Sequence, residues 1–153
     1  MFLLDRITKV WAEHTLRFRS PIVLIPKVLD LSYTTNPGGA FSLFTGLPWV
    51  FFVASVAISG TIVWLSTRTT TVTNAVGLGL VLGGAVGNMT DRLTRGSGVS
   101  GQVVDFIHLH LWPTFNVADS SIVIGAIVLL AGGLFGSGRS AVPAAGSPAA
   151  PAA

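Results

Sequence analysis

Three aspartates, Asp91, Asp105 and Asp119, lie in one stretch of the chain between two strongly apolar segments. A hairpin-like return of the chain between Asp105 and Asp119 could bring their carboxyl groups together. Two carboxylates that share a site cannot both ionise easily, so one of them keeps a proton near neutral pH. The charged partner can then act as general base on a water, while the neutral partner donates a hydrogen bond to a carbonyl. The spacing therefore predicts the chemistry of an aspartic protease, which needs neither a metal nor a nucleophilic side chain.

Each of these aspartates also has a structural interpretation. Asp119 is predicted in the first turn of a helix, where a carboxylate caps the helix and complements its dipole. Asp105 could be a solvated loop residue, and Asp91 could form an ion pair with its neighbour Arg92. The spacing alone leaves both interpretations open.

Asparagines and histidines near the same apolar segments are further candidates. Each asparagine could cap a helix or turn, or hydrogen-bond a carboxylate or an extended peptide: Asn36, Asn88 and Asn116. His108 and His110 could ligate zinc from one strand face, but a third ligand would have to come from Asp105 or beyond. We therefore expect no metal site, and we expect both histidines to face the surface or lipid headgroups.

The composition indicates a membrane protein. Half of the 153 residues are hydrophobic, only 10% are charged and the mean hydropathy is +0.72, whereas soluble domains carry about 25% charged residues. There is no cysteine, which excludes disulfides and thiolate chemistry. The net charge of +3 comes without a basic cluster interleaved with aromatics, so we expect headgroup contact and no nucleic-acid partner.

Three apolar segments predict membrane-crossing helices, at residues 47–66, 72–89 and 115–135. The first has no charged residue and would span about 30 Å as a helix, which matches the hydrocarbon thickness. This layout places Asp91 just beyond the second helix, Asp105 in the following loop and Asp119 in the first turn of the third. Glycines recur at every fourth position of the second segment and predict close helix packing: Gly79, Gly83 and Gly87.

The remaining segments are less apolar. Residues 1–18 have the pattern of an amphipathic helix that lies in the membrane interface. Residues 20–46 alternate short β-favouring runs with Pro and Gly, which predicts a small surface sheet. We expect residues 1–136 to form one membrane-embedded domain and the low-complexity tail, residues 137–153, to be disordered.

Five short blocks, in a fixed order, resemble the signature blocks of the lipoprotein signal peptidases, or signal peptidase II. They are LDRITK, YTTNPGGAFSLF, GGAVGNMTDRL, VVDFI and FNVADSSI. The resemblance implies an all-α integral membrane protein, a four-helix transmembrane bundle with a small extracytoplasmic β element. It also implies an aspartyl endopeptidase of the bacterial inner membrane, multi-pass, with its active site near the extracytoplasmic face.

The resemblance assigns roles by motif. Asp105 of VVDFI and Asp119 of FNVAD would be the catalytic pair. Five residues would shape the site and hold the substrate: Asn36, Asn88, Asp91, Arg92 and Asn116. Four more would support it: Asp5, Lys9, Gly39 and Ala40. The implied substrate is a prolipoprotein with a diacylglyceryl cysteine, cut in contact with membrane lipids by a monomer without cofactors.

The chain departs from the family pattern in places. Arg6 and Gly39 replace a glutamine and an alanine of the blocks, and we expect both to be tolerated. The first helix has few residues before Asp5, so we expect it to be truncated. Two other functions stay open: a transporter or channel subunit with a proton-relaying carboxylate, and an inactive lipoprotein-binding relative. The first is disfavoured because the middle of the two uncharged spans lacks an ionisable group.

Overall fold

Four helices and a three-stranded sheet make up the computed structural model, which describes residues 1–37 and 48–136. In chain order the elements are α1 (Phe2–Leu16), β1 (Ile22–Ile25), β2 (Leu29–Asn36), α2 (Pro48–Ser66), α3 (Val72–Thr94), β3 (Val103–Leu109) and α4 (Val117–Gly136). The predicted tail, residues 137–153, lies outside the described residues, as do residues 38–47 of the segment predicted to form the sheet.

Helix α3 begins where the sequence predicts and ends later. Thr71 caps its N-terminus, and the Thr71 hydroxyl accepts a hydrogen bond from the backbone N–H of Asn74 at 3.3 Å. The helix then runs to Thr94 and does not stop at residue 89. The prediction that Asp91 follows the helix is therefore wrong, since Asp91 lies on its last turns. Asp91 is anchored there by contacts from outside the helix, which hydropathy cannot reveal.

The sheet has the order β1-β2-β3, with both pairs antiparallel. Strands β1 and β2 lie within the segment predicted to form it, whereas β3 was expected to be a loop. Asp105 is thus a strand residue, and it pairs with Thr34 of β2. The run VVDFI has the β-branched and aromatic composition typical of strands, and β2 supplies the partner that it needs.

Strand β3 also packs against α1 and so ties the sheet to the helices. Val104 and Phe106 are buried together with Ala12 and Leu16 of α1 in one apolar cluster. The ring of Trp11 meets that of Phe106 edge-on at a centroid distance of 6.3 Å. This cluster fixes the position of Asp105 relative to α1, because Asp105 lies between Val104 and Phe106 in the chain.

Glycines let α3 approach its neighbours, but not along one stripe. A Cβ at Gly125 of α4 would lie 2.7 Å from the Gly77 carbonyl oxygen, so α3 and α4 pack almost backbone to backbone there. Gly83 faces the start of α1 and Gly87 faces Asp5, whereas Gly79 has nothing within 4 Å. The predicted close packing is therefore correct for Gly83 and Gly87 and wrong for Gly79.

Among the described helices, α3 is the one that is both long and apolar enough to cross a membrane; Phe52–Ser66 and Val117–Gly133 are shorter apolar helices. Helix α1 has 15 residues. Helix α4 exposes an apolar face, with Ile124, Ile127 and Leu130 each more than half exposed. Such a face is typical of a surface covered by lipid or protein.

Candidate active site

A cavity of about 260 Å³ opens between the end of α3, strand β3 and the start of α4, and both Asp105 and Asp119 line it. Asp105 is only 2% exposed. The other lining residues include both polar and apolar side chains: Asn36, Asn88, Arg92, Val103, Trp112, Pro113, Thr114, Phe115, Ile122 and Val123. The two carboxyl groups that were predicted to meet therefore do share one cavity.

Asparagine side chains hold both carboxyl groups. Asn116 Nδ2 donates to Asp105 Oδ1 at 2.6 Å, and Asn36 Nδ2 donates to Asp105 Oδ2 at 3.1 Å. Asn88 Nδ2 donates to Asp119 Oδ1 at 2.8 Å. The backbone N–H of Asn116 donates to Asp119 Oδ2 at 3.1 Å, and Asn116 Oδ1 accepts from the Asp119 N–H at 3.0 Å. Asn116 thus contacts both aspartates and fixes their mutual position.

A buried lysine sets the direction of this network. Lys9 Nζ donates to Asn88 Oδ1 at 2.8 Å, and an ammonium group can only donate. The Asn88 oxygen must therefore face Lys9, which leaves its Nδ2 to donate to Asp119. Asn88 Oδ1 also accepts from Asn116 Nδ2 at 3.2 Å. One cation on α1 in this way orients the amides that reach the carboxyl groups.

The pKa of Asp105 lies far above its ordinary value. Burial raises the pKa from 3.8 to about 7, and the negative charge of Asp119 adds to the rise, against the amide donors of Asn116 and Asn36. A carboxyl group with this pKa is protonated for a large fraction of the time at neutral pH. Asp105 therefore carries a proton about half of the time near pH 7, and most of the time at lower pH.

Beneath the cavity, Lys9 also joins α1 to α3. Its Nζ lies 2.9 Å from Asp5 Oδ2 and 3.0 Å from Asp91 Oδ2, and all three side chains are at most 1% exposed. Asp91 contacts two more cations, Arg6 and Arg95, and its Oδ2 accepts from the Val104 N–H at 3.3 Å. The ion cluster therefore fixes α1, α3 and β3 relative to one another.

Asp5 links the same cluster to α4. Its Oδ1 accepts from the backbone N–H of Ala118 at 3.1 Å, so a side chain of α1 caps the first turn of α4. Gly87 leaves the space for this contact, because a Cβ there would lie 2.5 Å from Asp5 Oδ2. Asp119 follows Ala118 directly, and its position thus depends on Asp5.

Most predicted site residues come together. Asn36, Asn88, Arg92, Asp105 and Asp119 line the cavity, with Asn116 behind them. Asp5, Lys9 and Asp91 form the supporting ion cluster, whereas Gly39 and Ala40 lie outside the described residues.

Two arginines of the ion cluster, Arg6 and Arg95, were not predicted from the sequence as site residues. Arg6 was treated only as a tolerated replacement, yet it binds Asp91 across 85 positions of sequence. Arg95 also donates to Glu13 of α1 at 2.7 Å. The i,i+4 spacing of Asp91 and Arg95 was a visible signal, but no spacing links Arg6 to Asp91.

One cavity lined by Asp105 of β3 and by Asp119 of the first turn of α4, in a chain with exposed apolar helices, is typical of an aspartic-type peptidase of the membrane. The family profile described as "Signal peptidase (SPase) II" matches residues 1–135. The chain is 40% identical to the lipoprotein signal peptidase of Mycolicibacterium smegmatis over 96% of its length and 67% of the relative's. It is 43% identical to that of Rhodococcus jostii, over 82% of this chain and 64% of the relative.

Solved structures are also similar. A bacterial membrane enzyme determined by the in meso method at 2.3 Å resolution superposes with a TM-score of 0.80 at 26% identity, over 95% of this chain and 89% of that one. A second, at 1.9 Å resolution, gives 0.74 at 28% identity, over 88% and 87%.

The chain belongs to the signal peptidase II family. The family predicted from the five blocks is thereby confirmed, and so is the class of membrane-bound aspartic-type peptidase. The alignments with the first two relatives span about two thirds of the relatives' own lengths.

Proposed function

We propose that Asp105 and Asp119 together hydrolyse the peptide bond that joins a signal peptide to a diacylglyceryl-modified prolipoprotein. The single observation that carries the proposal is the shared cavity in which one asparagine contacts both carboxyl groups. Asp105 holds the proton in the resting pair, because its pKa is about 7. Asp119 is the base, since its carboxylate accepts from the side-chain amide of Asn88 and from the backbone N–H of Asn116. It also lies in the first turn of α4, where the helix dipole favours a negative charge.

The reaction follows from this division. Asp119 takes a proton from a water bound between the carboxyl groups while the water oxygen attacks the scissile carbonyl carbon. Asp105 donates its proton to the carbonyl oxygen, which gives a neutral gem-diol. As the C–N bond breaks, the leaving nitrogen takes a proton from Asp119, and one hydroxyl of the gem-diol returns a proton to Asp105. The pair ends with the single proton with which it began.

The cavity lining suits an extended peptide with lipid chains. Several apolar side chains line it, and they can contact acyl chains that enter from the bilayer: Trp112, Phe115, Ile122 and Val123. Arg92 also lines the cavity, and its Nη1 donates to the Asn88 carbonyl oxygen at 3.2 Å. We propose that the enzyme is a monomer that uses no cofactor.

For the membrane arrangement, we propose a four-helix, multi-pass bundle in the bacterial inner membrane. The sheet then lies at the extracytoplasmic surface, where exported prolipoproteins arrive. The ends of α3 and α4 that carry the aspartates would lie at the same surface. Labelling of single cysteines in the β1–β2 turn and the α2–α3 turn of intact cells tests this orientation, because only the first should react with an impermeant reagent.

Cleavage of a synthetic diacylglyceryl peptide by the purified protein tests the activity. Asp105→Asn and Asp119→Asn should each lower the rate by about 100-fold to 10,000-fold, the usual contribution of acid–base groups. Glu13→Gln is a matched control outside the cavity and should stay active. If the unaltered protein does not cut the lipidated peptide, it is an inactive relative and the proposal fails.

A further inference from the structure

A second cluster of ionisable side chains lies on the sheet, away from the cavity. Asp30 Oδ2 lies 2.9 Å from His110 Nε2 and 3.6 Å from His108 Nδ1. One potential ligand atom from each residue can be chosen so that all three lie within 4.8 Å of one another. The two imidazole rings stack with centroids 4.9 Å apart and an interplanar angle of 21°. Both rings therefore present a nitrogen to the same carboxylate oxygen.

The sheet itself brings these residues together. Asp30 of β2 is the register partner of His108 of β3, so the two side chains share one face of the sheet. His110 follows two positions later, and its backbone N–H donates to the Val28 carbonyl at 3.1 Å. The β2–β3 pairing thus continues to His110 and fixes the spacing of the two histidines.

Burial distinguishes this cluster from a chance surface contact. Asp30 is only 9% exposed, and burying a carboxylate is costly unless a cation or hydrogen-bond donors compensate it. The side chains of His108 and His110 are 37% and 40% exposed, so an ion can reach the cluster from solvent. A neutral imidazole offers one lone pair for coordination.

The donor set and the distances fit a transition-metal ion. In tetrahedral sites Zn²⁺ binds imidazole nitrogen and carboxylate oxygen at about 2.0–2.2 Å, which puts neighbouring ligand atoms about 3.3 Å apart. The observed separations of 2.9 and 3.6 Å lie on either side of this value. Two imidazoles with one carboxylate favour Zn²⁺ or Ni²⁺ over Mg²⁺ or Ca²⁺, which prefer oxygen ligands.

We propose that Asp30, His108 and His110 bind one Zn²⁺-class metal ion that links β2 to β3. Three protein ligands leave a fourth position for water or for a group presented at the membrane surface. The site lies three residues from Asp105 along β3, about 10 Å at strand spacing. The ion therefore does not act on the scissile carbonyl; it stabilises the pairing of the strands that carry Asn36 and Asp105.

The proposal does not depend on the peptidase activity, and it is tested by metal binding. The full chain is purified in detergent with a histidine-free tag, stripped with a chelator and titrated with Zn²⁺. His110→Ala and Asp30→Asn are compared with the unaltered protein. His14→Ala is the matched control, because His14 is the third histidine of the chain and lies on α1, outside the cluster.

The unaltered protein and His14→Ala should each bind one Zn²⁺ per chain, and Zn²⁺ should raise the Tm of both. His110→Ala and Asp30→Asn should bind Zn²⁺ at least about 100-fold more weakly. Removing a residue that only hydrogen-bonds a metal ligand already lowers metal affinity by about 10-fold to 100-fold, and removing the ligand itself should cost at least as much. Substituted Co²⁺ should show the visible absorption of a tetrahedral site in the first two proteins only.

Two results would overturn the proposal. One is the absence of stoichiometric Zn²⁺ binding to the stripped, unaltered protein. The other is equal affinity in the unaltered protein and in Asp30→Asn, a variant of almost the same shape that should keep its fold.

Discussion

Replacing Lys9 with methionine removes the cation on which the site is built. The side chain is fully buried, with Nζ within 3.0 Å of Asp5, Asp91 and Asn88. Methionine fills a similar volume, so the change chiefly leaves two buried carboxylates without their shared partner. Arg6 still contacts Asp91, whereas Asp5 loses its nearest cation.

Breaking a buried ion pair costs about 3–5 kcal/mol. At about 2–4 °C per kcal/mol for a chain of this size, Lys9→Met should lower the Tm by roughly 6–20 °C. Activity should also fall, because without Lys9 the side-chain amide of Asn88 can rotate. Its Oδ1 can then face Asp119, and the hydrogen bond from Asn88 Nδ2 to the Asp119 carboxylate is lost.

Tryptophan fluorescence during heating in detergent measures the change. Lys27→Met is the matched control, since Lys27 is exposed in the β1–β2 turn. The double variant Lys9→Met, Asp5→Asn should recover part of the loss, because it removes the buried charge that has lost its nearest cation. If Lys9→Met unfolds at the same temperature as Lys27→Met, the ion cluster does not support the fold and the reasoning is refuted.

Three further predictions address the amide network, the helix contact and the shared proton. Asn116→Ala removes the Nδ2 donor to the Asp105 carboxyl group, a contact worth about 1.5–3 kcal/mol. The kcat should therefore fall by about 10-fold to 150-fold with little change in KM, and an unchanged kcat would contradict the network. Gly87→Ala should destabilise the protein by about 1–3 kcal/mol in denaturation measurements, because the added methyl group meets Asp5. The control Gly79→Ala should be neutral, because its methyl group meets nothing within 4 Å. Equal effects of the two substitutions would contradict the packing. The pKa of Asp105 is higher in the folded state than in the unfolded state, so the folded state holds an extra proton between pH 3.8 and about 7. The free energy of unfolding should therefore fall as the pH rises through this window. Asp105→Asn should remove this contribution to the pH dependence. The cleavage rate should likewise fall as the pH rises above about 7, since the acid is then lost, and a rate that is flat across this range would contradict the assignment of the proton.

The sequence predicted the helices well because their signal is local. Residues 47–66 were predicted as an apolar helix and form α2 at Pro48–Ser66, and Asp119 lies in the first turn of α4 as expected. The segment that contains Asp105 was less predictable, because it becomes a strand only by pairing with β2 and packing on α1. Contacts of that kind join residues that are distant along the chain.

The same limit applies to the site. The motif blocks identify Asp105, Asn116 and Asp119, but they do not show that Lys9 orients Asn88 or that Asp5 caps α4. Arg6 illustrates the point, because a departure from the family pattern proved to be an ion-pair partner of Asp91. The direction of a hydrogen bond depends on three-dimensional neighbours, and a linear spacing holds no information about it.

Cleavage of the lipidated peptide by Asp105→Asn, by Asp119→Asn and by the double variant measures most directly whether the two carboxyl groups act as one unit. Groups that work together are not additive, so the double variant should be no slower than the slower single variant. If either single variant keeps most of the activity, or if the two losses multiply in the double variant, the carboxyl groups do not share one hydrolytic water.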